Sequence, residues 1–157
     1  MGRVIRSAFL GASVALLLTG AAHGGESLRV IDGDGIELAG QSVRLWGIDA
    51  PELRQECSKD GRRYPCGQKA KEALTAFLRA AAPVCETVNR DRYGRRVAKC
   101  EVAGEDLGAL MVRSGWAVDW PRYSKGAYAE EQNEAEAHKR GLWAGFFAAP
   151  WEWRKEN

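Results

Sequence analysis

Five charged residues have the types and the spacing to act together on a phosphate group. They are three acids and two arginines: Asp34, Asp49, Glu52, Arg44 and Arg95. If all five converge, their formal charges of −3 and +2 sum to −1, and the site repels a phosphodiester. A bound divalent cation changes the sum to +1, so that the same site attracts one. The grouping therefore makes sense as a phosphate site only with a metal.

The candidate metal ligands are all oxygen atoms, which favours a hard cation, calcium or magnesium. The first acidic loop is not an EF-hand, because Ile36 stands where the fifth loop residue would supply an oxygen. With two carboxylate ligands, Asp34 and Asp49, we expect weak binding, with a Kd of roughly 10⁻⁴ to 10⁻³ M.

Each of these residues also has an ordinary structural interpretation. Asp-Gly is a common hairpin sequence, so Asp34 can be a turn residue, and Asp49 can cap a turn before Ala-Pro. Arg44 can face solvent from a strand, and the basic segment 90–96 can be a solvated loop. The functional interpretation depends on whether the elements bring these side chains together.

Three strands are expected to position the acids. Three stretches rich in strand-forming residues are separated by glycine-containing turns: 28–31, 36–38 and 43–48. Pro51 ends the third strand, because proline cannot donate to a sheet ladder. This meander places Asp34 in its first turn and Asp49 after its last strand.

Helices and a hairpin follow. From Gln68 onward the apolar residues fall on one helical face: Ala70, Ala73, Leu74, Phe77 and Leu78. Residues 84–88 and 96–102 are expected to form a hairpin, and residues 106–113 and 128–140 two further helices, each ended by a glycine. The aromatic tail, 142–154, is expected to pack on the core.

Four cysteines allow three disulfide pairings: Cys57, Cys66, Cys85 and Cys100. We favour Cys57–Cys66 and Cys85–Cys100, because each closes a short local loop. The second pairing sets a hairpin register with Thr87 opposite Ala98. A zinc site is disfavoured, since no Cys-x-x-Cys spacing occurs and the histidines number two.

The resulting order is β-β-β-α-β-β-α-α, an α+β arrangement. Five short strands with an inserted helix predict an OB-type β-barrel, closed and five-stranded, with about three packed helices. Such barrels are known hosts of nucleic-acid sites.

The first 24 residues have the pattern of a secretory signal: two arginines, a short apolar run and then small residues. The run is too short for a membrane anchor. We therefore expect a leader, 1–24, and one catalytic domain, 25–157, that is secreted or periplasmic. Without Arg3 and Arg6, the 23 basic residues fall to 21 and equal the 21 acidic ones. Bulk charge thus does not argue for nucleic-acid binding.

Three segments together resemble the signature segments of the staphylococcal nuclease family: 30–34 (VIDGD), 43–52 (VRLWGIDAPE) and 91–95 (DRYGR). Their order and approximate spacing also match. The similarity runs from about Leu28 to Trp143, nearly the whole mature chain. The sequences at 141–143 and 151–154 also resemble the ends of secreted bacterial relatives.

The resemblance implies a role for each matching residue. Asp34, Asp49 and the backbone carbonyl of Ala50 would hold calcium rather than magnesium. Glu52 would be the general base, and the arginines would hold the scissile phosphate: Arg44 and Arg95. Family members cut DNA and RNA, prefer single strands and leave 3′-phosphates. The implied partner is single-stranded DNA or RNA, and we expect a monomer that makes no membrane contact once the leader is removed.

Two departures from the family pattern matter. Many relatives have threonine where Gly35 and Ala50 stand, and the first change removes a hydroxyl from near the metal. Four residues are candidates for substrate contact: Arg92 for a terminal phosphate, and Tyr93, Tyr123 and Trp120 for base stacking. Trp120 can instead be a core residue.

Three functions of different classes remain open at this stage: a metal-dependent nuclease, a binding module without catalysis, and an envelope accessory protein. The combination of Glu52 with both arginines favours the nuclease, because a binding module has no need for all three.

Overall fold

The computed structural model describes residues 27–157, so the predicted leader lies outside the described residues. The strands are β1 Leu28–Val30, β2 Gly35–Leu38, β3 Gln41–Leu45, β4 Ile48–Asp49, β5 Cys57–Lys59, β6 Arg62–Tyr64, β7 Val84–Arg90, β8 Arg96–Val102, β9 Glu105–Asp106 and β10 Val118–Asp119. The helices are α1 Cys66–Phe77, α2 Leu107–Arg113, α3 Pro121–Ser124, α4 Ala129–Ala137 and α5 Pro150–Glu156, with a 3₁₀ turn at Gly141–Ala144.

Six strands form one curled sheet in the order β1-β2-β3-β8-β7, with β9 also paired to β8. The β3–β8 pair is parallel and the other pairs are antiparallel. Within residues 27–157 no pairing joins β1 to β7, so the sheet is an open half-barrel. The α+β class is confirmed, whereas the closed five-stranded barrel is not. Five helices, rather than about three, surround the sheet in the described chain.

The third predicted strand, 43–48, is divided into β3 and β4. Gly47 separates them with a φ of +75°, in the left-handed region, where an extended strand cannot continue. The freed β4 pairs with β10, which aligns Asp49 with Val118. The interruption therefore decides where Asp49 lies.

The polar segment of residues 53–67 contains a small hairpin, β5–β6. Its turn is Asp60-Gly61, with φ values of 51° and 74°, which is a typical sequence for a tight turn. Sequence analysis assigned no strand to this polar segment, because this turn signal was overlooked.

The β7–β8 hairpin has the predicted register, with Cys85 opposite Cys100 and Thr87 opposite Ala98. Both predicted disulfides are confirmed, Cys57–Cys66 and Cys85–Cys100.

Two apolar clusters hold the elements together. The larger one joins the inner face of the sheet to α1 and α2 and includes Ile36, Val43, Leu45, Leu74, Leu107 and Met111. The smaller one surrounds the Cys57–Cys66 disulfide and includes Val118, Leu142, Trp143, Phe147 and Trp151. The prediction that the aromatic tail packs back on the fold is confirmed. None of the described helices is long and apolar enough to cross a lipid bilayer.

Candidate active site

Two buried aspartates from different elements lie side by side. Asp34 is in the turn between β1 and β2, and Asp49 is in β4; they are 4% and 0% exposed. The backbone N–H of Ala50 donates to Asp34 Oδ2 at 3.0 Å, which ties the turn to the end of β4. Glycine at position 33 permits this approach, because a Cβ there would lie 2.6 Å from the Cβ of Ala50.

Arg44 joins the two aspartates from β3. Its Nη2 lies 3.0 Å from Asp34 Oδ2 and 2.7 Å from Asp49 Oδ1. The buried carboxylates raise the pKa of Arg44, although burial by itself opposes the charged form. One guanidinium nitrogen thus brings the two acidic side chains to a common point.

Glu52 lies on the loop after Pro51, and its side chain is 33% exposed. Gln55 holds this loop: its Oε1 accepts from the N–H of Glu52 at 3.2 Å, and its Nε2 donates to the carbonyl of Ala148 at 2.8 Å. Gly67 at the start of α1 is pressed against the same loop, where a Cβ would overlap the carbonyl of Glu52. Gln55 is fully buried, and sequence reasoning did not identify it.

A second arginine enters the site from α5. Arg154 Nη1 and Nη2 lie 3.1 and 2.8 Å from the two oxygens of Asp49, and Nη1 lies 2.7 Å from Glu52 Oε1. These carboxylates raise the pKa of Arg154 against the opposing effect of burial. Sequence reasoning noticed the Trp151–Arg154 segment but gave Arg154 no role in the site.

The site is short of positive charge. Asp34, Asp49 and Glu52 contribute −3, and Arg44 and Arg154 contribute +2, which leaves −1. Burial raises the pKa of Asp34 to about 6; Arg44 opposes the rise, and the charges of Asp49 and Glu52 add to it. Convergent carboxylate oxygens with a deficit of positive charge fit a hard cation. No group of three or more Asp, Glu, His or Cys side chains in residues 27–157, these three acids included, is arranged to hold a metal ion by itself.

Arg95 is not part of this ion-pair network. Its Nε lies 2.7 Å from Asp91 Oδ2, and no salt bridge among residues 27–157 joins it to Asp34, Asp49 or Glu52. The β3–β8 register nevertheless aligns Arg44 with Val97, two residues after Arg95. Of the two predicted phosphate-binding arginines, Arg44 lies on β3 and touches the acids, whereas Arg95 lies in the turn just before β8 and does not.

The predicted substrate residues form two aromatic–arginine groups. Tyr93 is 69% exposed, and the guanidinium of Arg92 lies 4.8 Å from its ring centroid. Trp120 lies beside the acids, with Arg44 at 5.7 Å and Arg154 at 5.4 Å from its ring centroid. The exposed Tyr123 meets Trp120 edge to face, with 4.5 Å between the ring centroids.

Gly35 is opposite Arg44 in the β2–β3 pairing. A Cβ there would lie 2.7 Å from Asp32 Oδ1, the atom that accepts from the N–H of Asp34. Burial and the neighbouring charge of Asp34 raise the pKa of Asp32. The Asp32 carboxylate therefore takes the space beside Asp34 that a side chain at position 35 would need.

Comparison with known proteins identifies the family of the chain. The family model described as staphylococcal nuclease homologue matches residues 42–145, which include Arg44, Asp49, Glu52 and Arg95. The chain belongs to the staphylococcal nuclease family.

Similar members of the family carry mixed names. A succinoglycan biosynthesis protein, ExoI, of Rhizobium meliloti (strain 1021) is 44% identical over 136 residues, covering 82% of this chain and 71% of that protein. An uncharacterized endonuclease of Escherichia coli O157:H7 is 31% identical over 137 residues, covering 83% and 84%. The protein ParB of Escherichia coli is 31% identical over 150 residues, covering 85% and 80%.

Proposed function

We propose that this chain is a calcium-dependent nuclease that hydrolyses phosphodiester bonds in single-stranded DNA and RNA and leaves 3′-phosphates. The observation that supports it most is the meeting of Asp34, Asp49, Glu52 and Arg44 in a member of the staphylococcal nuclease family. Two disulfides favour an oxidising compartment and therefore export, after removal of a leader at 1–24.

The chain's own residues can divide the reaction among them. Glu52 accepts a proton from the water that attacks phosphorus, and Arg44 and Arg95 hold the phosphate oxygens while negative charge develops on them. The bond from phosphorus to the 5′ oxygen breaks, that oxygen takes up a proton, and a 3′-phosphate and a 5′-hydroxyl remain. Asp34, Asp49 and the Ala50 carbonyl would hold calcium, which supplies positive charge beside the phosphate when bound.

Base stacking can bring a single strand to this site. Tyr93 and Tyr123 are exposed, and the Trp120 ring contacts both the Tyr123 ring and the guanidinium of Arg44. Stacking on such rings does not depend on base identity, which suits an enzyme that accepts both DNA and RNA.

Arg44→Ala tests the assignment of the phosphate site. We expect turnover of single-stranded DNA to fall by about 10²-fold or more, because charge that stabilises the transition state is lost. Arg29→Ala is a matched control, since Arg29 pairs with Glu37 on the exposed edge of the sheet. Equal turnover in the wild type and Arg44→Ala would contradict the assignment.

The name of the Rhizobium relative makes a role in envelope polysaccharide metabolism the second candidate. A glycosidase also uses two carboxyl groups. The acids here are instead clamped by guanidinium groups, which fit phosphate oxygens. Release of sugar from succinoglycan, without cleavage of DNA or RNA, would favour this candidate. Retention of a single strand without cleavage would favour a binding module.

A further inference from the structure

Arg154 takes the place on Asp49 that a cation would need. The guanidinium of Arg154 donates to both carboxylate oxygens of Asp49, and Arg44 also donates to Oδ1. Each oxygen of this fully buried carboxylate thus has a guanidinium partner. A carboxylate that ligates a cation must give at least one oxygen to it.

Two contacts besides its ion pairs anchor the helix that carries Arg154. The Trp151 ring stacks on Trp120 with a centroid distance of 5.8 Å and an interplanar angle of 11°. Just before the helix, the Ala148 carbonyl accepts from the buried Gln55. Arg154 is therefore held over Asp49 and Glu52 by its surroundings as well as by its own ion pairs.

The net charge of the site also opposes the simultaneous presence of Arg154 and a divalent cation at Asp49. When Arg154 and a divalent cation are both present, the three acids (−3), the two arginines (+2) and the cation (+2) give a net charge of +1 in a mostly buried cluster. If the cation replaces Arg154, the three acids (−3), Arg44 (+1) and the cation (+2) give a net charge of zero. Like charges on one carboxylate repel, so the exchange is favoured over joint binding.

We propose that Arg154 is an intramolecular competitor for the calcium ion at Asp49, so that α5 sets the cation affinity of the site. The inference rests on the proposed function, which places calcium on Asp34 and Asp49. The guanidinium that leaves Asp49 also holds Glu52. Binding of the cation therefore frees the proposed general base in the same step.

Calcium titration calorimetry on the purified protein tests this without any measurement of activity. In Arg154→Gln we expect calcium to bind about tenfold more tightly than in the wild type, since a competing charge-assisted contact is gone. Lys155→Gln is the matched control, because it removes the same charge from the same helix at an exposed position paired with Glu152. Its calcium affinity should equal that of the wild type. Arg154→Lys, which keeps the charge but loses the fork, should lie between the wild type and Arg154→Gln.

The outcomes separate the inference from the proposed function. If wild type and Arg154→Gln bind calcium equally, while Asp49→Asn binds none, Arg154 is no competitor and the cation site stands. Weaker binding in both Arg154 variants would likewise overturn the inference, because it would show that Arg154 orders the ligands. If no variant binds calcium, the inference and the calcium part of the proposed function fall together.

Discussion

One arginine nitrogen holds two buried aspartates that would otherwise repel each other. Arg44 Nη2 lies within 3.0 Å of both carboxylates, and the Ala50 N–H donates to the same Oδ2 atom of Asp34 that Arg44 contacts. These contacts do not fully offset burial, because the pKa of Asp34 stays raised to about 6. A proton on Asp34 therefore does part of what an added cation would do.

This raised pKa predicts how stability depends on pH in the absence of divalent cations. The folded protein binds a proton at Asp34 more tightly than the unfolded chain, whose ordinary value is 3.8. The stabilisation is present below pH 4 and is lost as the pH rises to about 6. Denaturant unfolding with a chelator should show the stability of the wild type relative to Asp34→Asn falling over that range. A difference independent of pH would contradict the assignment.

Glu52→Gln tests the proposed general base. The amide cannot accept the proton of the attacking water, so turnover should fall by about 10²-fold or more while binding of single-stranded DNA stays nearly intact. Glu56→Gln is the control, because Glu56 is a partly exposed carboxylate paired with Arg63. Cleavage assays with a separate binding measurement would decide, and unchanged turnover in Glu52→Gln would remove Glu52 from the mechanism.

At the residue scale, local motifs predicted Asp34, Arg44, Asp49 and Glu52, which the structure brings together. Arg154 could not be derived in the same way, because its partners Asp49 and Glu52 are 105 and 102 positions away. The role of Gln55 could not be derived from the sequence either, since the Ala148 carbonyl that it binds lies 93 positions later. The available signal for Arg154 was an arginine within a tryptophan-rich tail.

The loop that carries Glu52 is the element on which the site depends most. It has no regular structure of its own, and it is held by the buried Gln55 side chain and by its contact with Gly67. Gln55 also links it to the segment before α5. The same side chain thus positions Glu52 and the helix that carries Arg154.

Gln55→Leu should therefore weaken both the fold and the site. Loss of the buried hydrogen bonds leaves the Ala148 carbonyl unpaired, which costs about 1–3 kcal/mol. We also expect turnover to fall, because Glu52 loses its support. The same change at the exposed Gln68 should leave both properties near wild type. Thermal unfolding and cleavage assays compare the two variants, and a Gln55→Leu protein with full activity would contradict this account of the loop.

At the element scale, periodicity was sufficient for α1 and for the β7–β8 hairpin, because both consist of contacts local in sequence. It failed where one residue changed the path of the chain. Gly47 could not be placed in the left-handed region from a strand-like sequence, and β10 has too few residues to show a period.

At the scale of the whole molecule, two disulfides crosslink the fold built on the open sheet. Cys85–Cys100 crosses the β7–β8 hairpin, and Cys57–Cys66 joins the hairpin after the Glu52 loop to the start of α1. The second disulfide also lies in the apolar cluster that receives the C-terminal tail. We therefore expect the two disulfides to differ in their importance for the site.

Removal of each disulfide should separate these effects. Replacing Cys85 and Cys100 by alanine should lower the free energy of unfolding by about 3 kcal/mol, as expected for a loop of this length. Activity measured below the unfolding temperature of this variant should stay near that of the wild type. Replacing Cys57 and Cys66 should lower activity as well, because their loop adjoins Glu52. Equal loss of activity in the two double variants, measured well below their unfolding temperatures, would argue against a special role for Cys57–Cys66.

Cleavage of single-stranded DNA by the purified protein tests the central claim most directly, with calcium added in one sample and a chelator in the other. We expect cleavage with calcium, products that end in 3′-phosphates, and no cleavage with the chelator. Intact DNA in both samples, or equal cleavage in both, would contradict the account of a cation site formed by Asp34 and Asp49.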